Sequence, residues 1–100
     1  MYARVTTYQV DPARLDEMDA ELSDLRAHCK ALPGIVFYNT VWRADGRGIS
    51  TTIYDCRASA EEAATKLRYI WGSFSKLLVE EPVTELFERT ADMLETKKRR

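Results

Sequence analysis

The sequence holds one histidine, two cysteines, three prolines and four glycines in 100 residues. Each scarcity excludes something. His28 has no second histidine at helical metal-ligand spacing, and no Ser-His-Asp or Cys-His arrangement can be assembled from the spacing. It reads as a surface histidine near a helix end. Cys29 and Cys56 stand far apart with no C-x-x-C, as reduced thiols used for packing do. Gly46 and Gly48 precede a strand-like run and not a helix start, so they do not form a phosphate loop. Charge of either sign is not in excess. A net charge of −1 gives no broad attraction to nucleic acid or to an anionic membrane, and neither is expected as a partner. No apolar run approaches the ~18 residues that would suggest a membrane span. The stretch from Met1 to Tyr8 lacks a signal peptide's layout, and a cytoplasmic location is expected. No metal or cofactor motif is present, and none is expected to be needed.

What is there is an ordinary globular composition, 45% hydrophobic and 31% charged. One hundred residues make one domain, able to bury roughly 60–68% of its unfolded surface. The domain is expected over 1–94, with 95–100 a frayed basic tail ending Lys97-Lys98-Arg99-Arg100.

The periodicity orders the elements. Residues 2–10 alternate, with Ala3, Val5 and Thr7 on one face and Tyr2, Arg4, Thr6 and Tyr8 on the other. Asp11-Pro12 caps a helix of about 20 residues, its apolar stripe made of Leu15, Met18, Leu22, Leu25, Cys29 and Leu32. Arg26, His28 and Lys30 near its end suit the helix dipole, and Pro33-Gly34 stops it. A hairpin turning at Asp45-Gly46 follows. Its first strand is apolar on both faces: Ile35, Phe37 and Val41 one way, Val36, Tyr38 and Trp42 the other. Ser59 to Glu62 matches a capping box for a second helix, which begins with alanines and ends with Trp71, Phe74 and leucines. Val83 to Leu94 suits strand or helix, and the preceding β-α-β-β-α order favours a strand.

The expected fold is therefore α+β and ferredoxin-like, βαββαβ, a four-stranded antiparallel sheet with two helices on one face. The other face keeps exposed apolar side chains from the hairpin, which predicts a homodimer packed sheet to sheet. An RNA-recognition role is disfavoured, because Ile49 and Thr51 stand where stacking rings would be needed.

Taken together, these residues resemble the dimeric α+β barrel superfamily, and within it the antibiotic-biosynthesis-monooxygenase-like domains. The resemblance spans residues 1 to about 92 and rests on fold markers: Val10-Asp11-Pro12, Leu32-Pro33-Gly34, Trp42-Arg43, Tyr54-Asp55, Ser59 to Ala63, and the closing Val83-to-Arg89 segment. It implies a homodimer with a ligand cavity between helices and sheet. Some members oxidise polycyclic phenols without metal or flavin; the protein binds the rings, favours the anion and excludes water. The haem-degrading members resemble this chain in a second-helix tryptophan, here Trp71. Their histidine is missing, and Thr6 stands nearest to their strand-one asparagine.

Two functions are carried forward. One is a cofactor-independent monooxygenase of an aromatic or quinol-like metabolite. In it Trp71 and Phe74 stack on the substrate, with Trp42 as a further wall. Tyr8, Tyr38 or Thr6 bonds its oxygens, and Arg4 or Arg89 steadies the anion. The other is a non-catalytic dimeric module that binds a small metabolite or a protein partner.

Overall fold

The computed structural model describes residues 1–94; the basic tail read at 95–100 lies outside them. The elements run β1 (Tyr2–Gln9), a 3-10 segment (Pro12–Glu17), α1 (Met18–Lys30), β2 (Ile35–Trp42), β3 (Arg47–Tyr54), α2 (Arg57–Phe74), a 3-10 turn (Ser75–Leu77) and β4 (Val83–Phe87). The four strands form one antiparallel sheet in the order β2-β3-β1-β4. This is the expected ferredoxin-like α+β architecture.

The core lies between the sheet and the helices. Tyr2, Tyr8 and Tyr54 come from the sheet, Met18 and Leu25 from α1, and Ala60, Ala63, Leu67, Ile70 and Phe74 from α2. Alternation in β1 divides the strand as expected, with Tyr2, Thr6 and Tyr8 buried.

Four local expectations need correction. The first helix is not continuous over about 20 residues. Asp11 does cap it, accepting from the Ala13 amide at 2.9 Å, but Arg14 leaves helical geometry (φ −116°, ψ 15°) and Pro12–Glu17 winds as 3-10. The Arg14 side chain is held there by Glu17 and by the Lys76 carbonyl.

The second helix begins at Arg57, two residues before the expected cap, and Ser59 does not cap it. The Ser59 hydroxyl is instead drawn to the Asp55 carboxylate, which it helps to hold below the usual carboxylate range.

In β2 the pairing register shifts between Ile35 and Phe37. A bulge inserts one residue and reverses the faces before it. Ile35 thus joins Tyr38 against the core, and does not share a face with Phe37 and Val41.

The last segment is a strand, but only over Val83–Phe87. Residues 88–94 carry no strand.

Register gives the outer face of the sheet a simple pattern. Phe37, Ile53, Ala3 and Phe87 line up across the strands, as do Val41, Ile49, Thr7 and Val83. Between these two rows runs a more polar one, Asn39, Thr51, Val5 and Glu85.

Candidate functional site

A cavity of about 830 Å³ opens between α1, α2 and the β2 side of the sheet. Its size falls within the ~300–1,000 Å³ of small-molecule pockets. Tyr8 from β1, Tyr38 and Trp42 from β2, and Trp71 and Phe74 from α2 line it. The opposite wall is α1, through Leu22, Arg26, Cys29 and Lys30 among others.

Three rings of the lining form one group. Tyr8 lies 5.4 Å from Trp71 and 5.9 Å from Phe74, centroid to centroid, and Trp71 lies 5.8 Å from Phe74. Tilted and edge-on contacts of this kind suit the ring quadrupoles. Phe74 and Tyr8 are buried, whereas Trp71 is half-buried and available to a ligand. The strands explain where Tyr8 sits. Gly48 pairs with both Tyr8 and Trp42, and its missing side chain leaves room for the Tyr8 ring.

The phenols and the thiol of the lining hold their protons. Burial pushes the Tyr8 phenol up, against a hydrogen bond with Thr40 that lowers it. Burial pushes Tyr38 up further, aided by the Cys29 thiol beside it. Burial also raises Cys29, and the Tyr38 hydroxyl beside it partly offsets this. At neutral pH these are hydrogen-bonding groups and not bases. Asp19, Arg26 and Lys30 bring charge to the α1 wall.

The structure brings together Tyr8, Tyr38, Trp42, Trp71 and Phe74, five of the eight residues expected to form a site. The other three lie elsewhere. Arg4 donates to the Ala60 carbonyl at 3.1 Å and stands over the Tyr54 ring. Thr6 is buried and shares a 2.9 Å hydrogen bond with Thr84 of β4. Arg4 thus meets the start of α2 and Thr6 meets β4, and neither lines the cavity. Arg89 is exposed beyond the end of β4. The α1 wall was missed because its residues read as core stripe and dipole partners. One signal was available: Leu22, Arg26 and Cys29 share a helix face, so a cation interrupts the apolar stripe.

His28 is exposed, its ring 5.1 Å from that of Tyr69, as a surface histidine would be. Among the described residues no helix is long and apolar enough to cross a membrane.

No family model and no curated protein matches the sequence. Solved structures do match its shape. A candidate antibiotic biosynthesis monooxygenase from Caulobacter crescentus superposes with a TM-score of 0.74 at 19% identity, over 90% of this chain and 90% of that one. The chain has the fold of the antibiotic-biosynthesis-monooxygenase-like domains. An antibiotic biosynthesis monooxygenase matches with a TM-score of 0.73 at 10% identity, covering 91% of this chain and 100% of that one. A variant of SnoaB, a cofactor-independent oxygenase from Streptomyces nogalater, matches with a TM-score of 0.72 at 15% identity, over 94% and 97%. At these identities the likeness is one of fold.

Proposed function

We propose that this protein is a homodimeric, cofactor-independent monooxygenase of an aromatic or quinol-like metabolite. The observation that carries the reading is the ring-lined cavity of about 830 Å³, with Trp71 half-exposed to it and the Tyr8 and Tyr38 phenols protonated. Flat substrate rings stack against Trp71, and the two phenols are neutral donors for a substrate oxygen that gains negative charge. The likeness in fold to SnoaB, a cofactor-independent oxygenase, supports the same reading.

The chemistry can be written for an anthrone. The substrate loses a ring C–H proton and becomes a carbanion delocalised into its oxygen. Electrons pass to dioxygen and a C–O bond forms, giving a peroxide. Protonation of the peroxide, loss of the second proton from the same carbon and O–O cleavage release water and leave a carbonyl, so the substrate ends as a quinone. Stabilising the anion is the step that needs the protein, and dry, fixed donors do this better than water.

The homodimer rests on the outer sheet face. Phe37, Val41, Ile49, Val83 and Phe87 are 38–61% exposed there in two rows. A second copy packed face to face covers them.

A second reading is favoured by the same protonation states. A lining whose phenols and thiol keep their protons also suits a module that binds a metabolite and does nothing to it. Oxygen uptake with anthrone and quinol substrates separates the two. Uptake coupled to quinone formation is the expected result. Ligand binding without uptake across the panel leaves the binding module.

A further inference from the structure

The inner face of the sheet carries a row of hydroxyls. Register sets Thr40 of β2 beside Ser50 of β3, Ser50 beside Thr6 of β1, and Thr6 beside Thr84 of β4. The row thus crosses every strand, and its ends differ. Thr40 and Ser50 line the cavity, and Thr40 holds the Tyr8 hydroxyl there. Thr84 is exposed at the opposite edge of the sheet. Between the ends Ser50 and Thr6 are 7% and 3% exposed, and α2 packs on their two strands. Valine would fill these places with no hydroxyl to satisfy. Thr6 and Thr84 share a 2.9 Å hydrogen bond in which either can donate. Opposed side chains on neighbouring strands have Cβ atoms ~4.5–5.5 Å apart, so Ser50 can reach Thr6 directly or through one water. Each hydroxyl both donates and accepts, which lets a proton be handed along.

The substrate must lose a proton inside the cavity, and the phenols and thiol of the lining, already protonated, take none. Asp19, the carboxylate of the lining, is exposed on the α1 wall, across the cavity from the sheet. We propose that Ser50, Thr6 and Thr84 carry this proton from the cavity, beneath α2, to water at the β4 edge. As the C–H bond breaks, its electron pair stays on the substrate. Ser50 takes the proton and passes its own to Thr6, Thr6 passes its own to Thr84, and Thr84 passes its own to water. All three end as neutral hydroxyls. The same row run backwards delivers the proton that the peroxide needs. This rests on the monooxygenase reading and adds the route of its first proton.

The test follows anthrone in heavy water without oxygen. Each loss and return of the proton leaves deuterium on the ring carbon, counted by mass spectrometry. The unaltered protein is expected to speed this exchange. Thr6→Val should slow the catalysed exchange about tenfold or more, with anthrone affinity unchanged because Thr6 does not line the cavity. Thr6→Ser should restore it. Thr84→Val, a change at an exposed position, should slow it as well. Equal exchange in Thr6→Val and the unaltered protein overturns the path and spares the monooxygenase reading, as does a loss in Asp19→Asn alone. An equal loss in Thr6→Ser and Thr6→Val makes Thr6 a packing residue and overturns the path too. Catalysed exchange that needs Thr6, with no oxygen uptake in air, overturns the monooxygenase reading and leaves the path standing. Neither exchange nor uptake overturns both.

Discussion

The Tyr8 hydroxyl reaches over strand β3 to meet the Thr40 hydroxyl of β2 at 2.5 Å. It can do so because Gly48 lies between them in the sheet: a Cβ built there would stand 2.2 Å from Cζ of Tyr8. One glycine therefore sets the position of a ring that lines the cavity. Gly48→Ala should force that ring out of place at a cost of ~1–3 kcal/mol, the range for overpacked sites. Urea unfolding measures the loss, and ligand titration should show weakened binding alongside it. An unchanged unfolding midpoint would mean that the Tyr8 ring is free to move aside.

The pair itself is open to a double-mutant cycle. Tyr8→Phe and Thr40→Val each remove one hydroxyl, and each should cost ~0.5–1.5 kcal/mol. Together they should cost less than the sum, because the second change removes a partner already lost. Additive losses would show that the two hydroxyls do not depend on each other.

Burial holds the Tyr8, Tyr38 and Tyr54 phenols protonated above the ordinary value. The unfolded chain releases these protons first, so rising pH drives unfolding. Stability from this source is intact below about pH 10 and is lost as pH climbs from there through the raised folded-state values. Absorbance at 295 nm should show a group of tyrosines titrating late, and Tyr38→Phe should remove the latest step. A titration unaltered by Tyr38→Phe would contradict the placement of that phenol beside Cys29.

Much of the fold could be read from the chain because its signals are local. The alternation of Tyr2 to Tyr8, the Asp11 cap and the Asp45-Gly46 turn each involve neighbours in sequence. The bulge at Ile35 could not be read, since it exists only as a mismatch with β3. Arg4 and Thr6 show the same limit at the site. They do share a face with Tyr8, but the sheet order places β4 beside them and α2 over them, whereas the cavity lies over β2. The α1 wall was hidden for another reason. A helix stripe looks the same in sequence whether it packs on a sheet or stands away from it.

Trp71 and Phe74 separate packing from binding. Phe74 is 4% exposed within the core cluster, and Phe74→Ala should cost ~3–5 kcal/mol in stability. Trp71 is half-buried against the cavity, so Trp71→Ala leaves less of a void in the core. Its stability cost should be smaller than that of Phe74→Ala and its effect on ligand binding larger. Comparing urea midpoints with ligand titrations for the two variants tests this, and the reverse order would make Trp71 a core residue.

The two apolar rows on the outer sheet face give the last prediction. Ile49 sits mid-sheet in one row, between Val41 and Thr7, and is 42% exposed in the single chain. A lysine there has open solvent in the monomer and should cost the fold little. In a two-fold sheet-to-sheet dimer the same change enters the interface twice, once from each subunit, and buries two like charges. Light scattering after size exclusion should find the unaltered protein at twice the 11.5 kDa chain mass and Ile49→Lys at the chain mass, with the far-ultraviolet circular dichroism unchanged. An unaltered protein that stays at 11.5 kDa at high concentration would mean that the rows are covered by something other than a second copy.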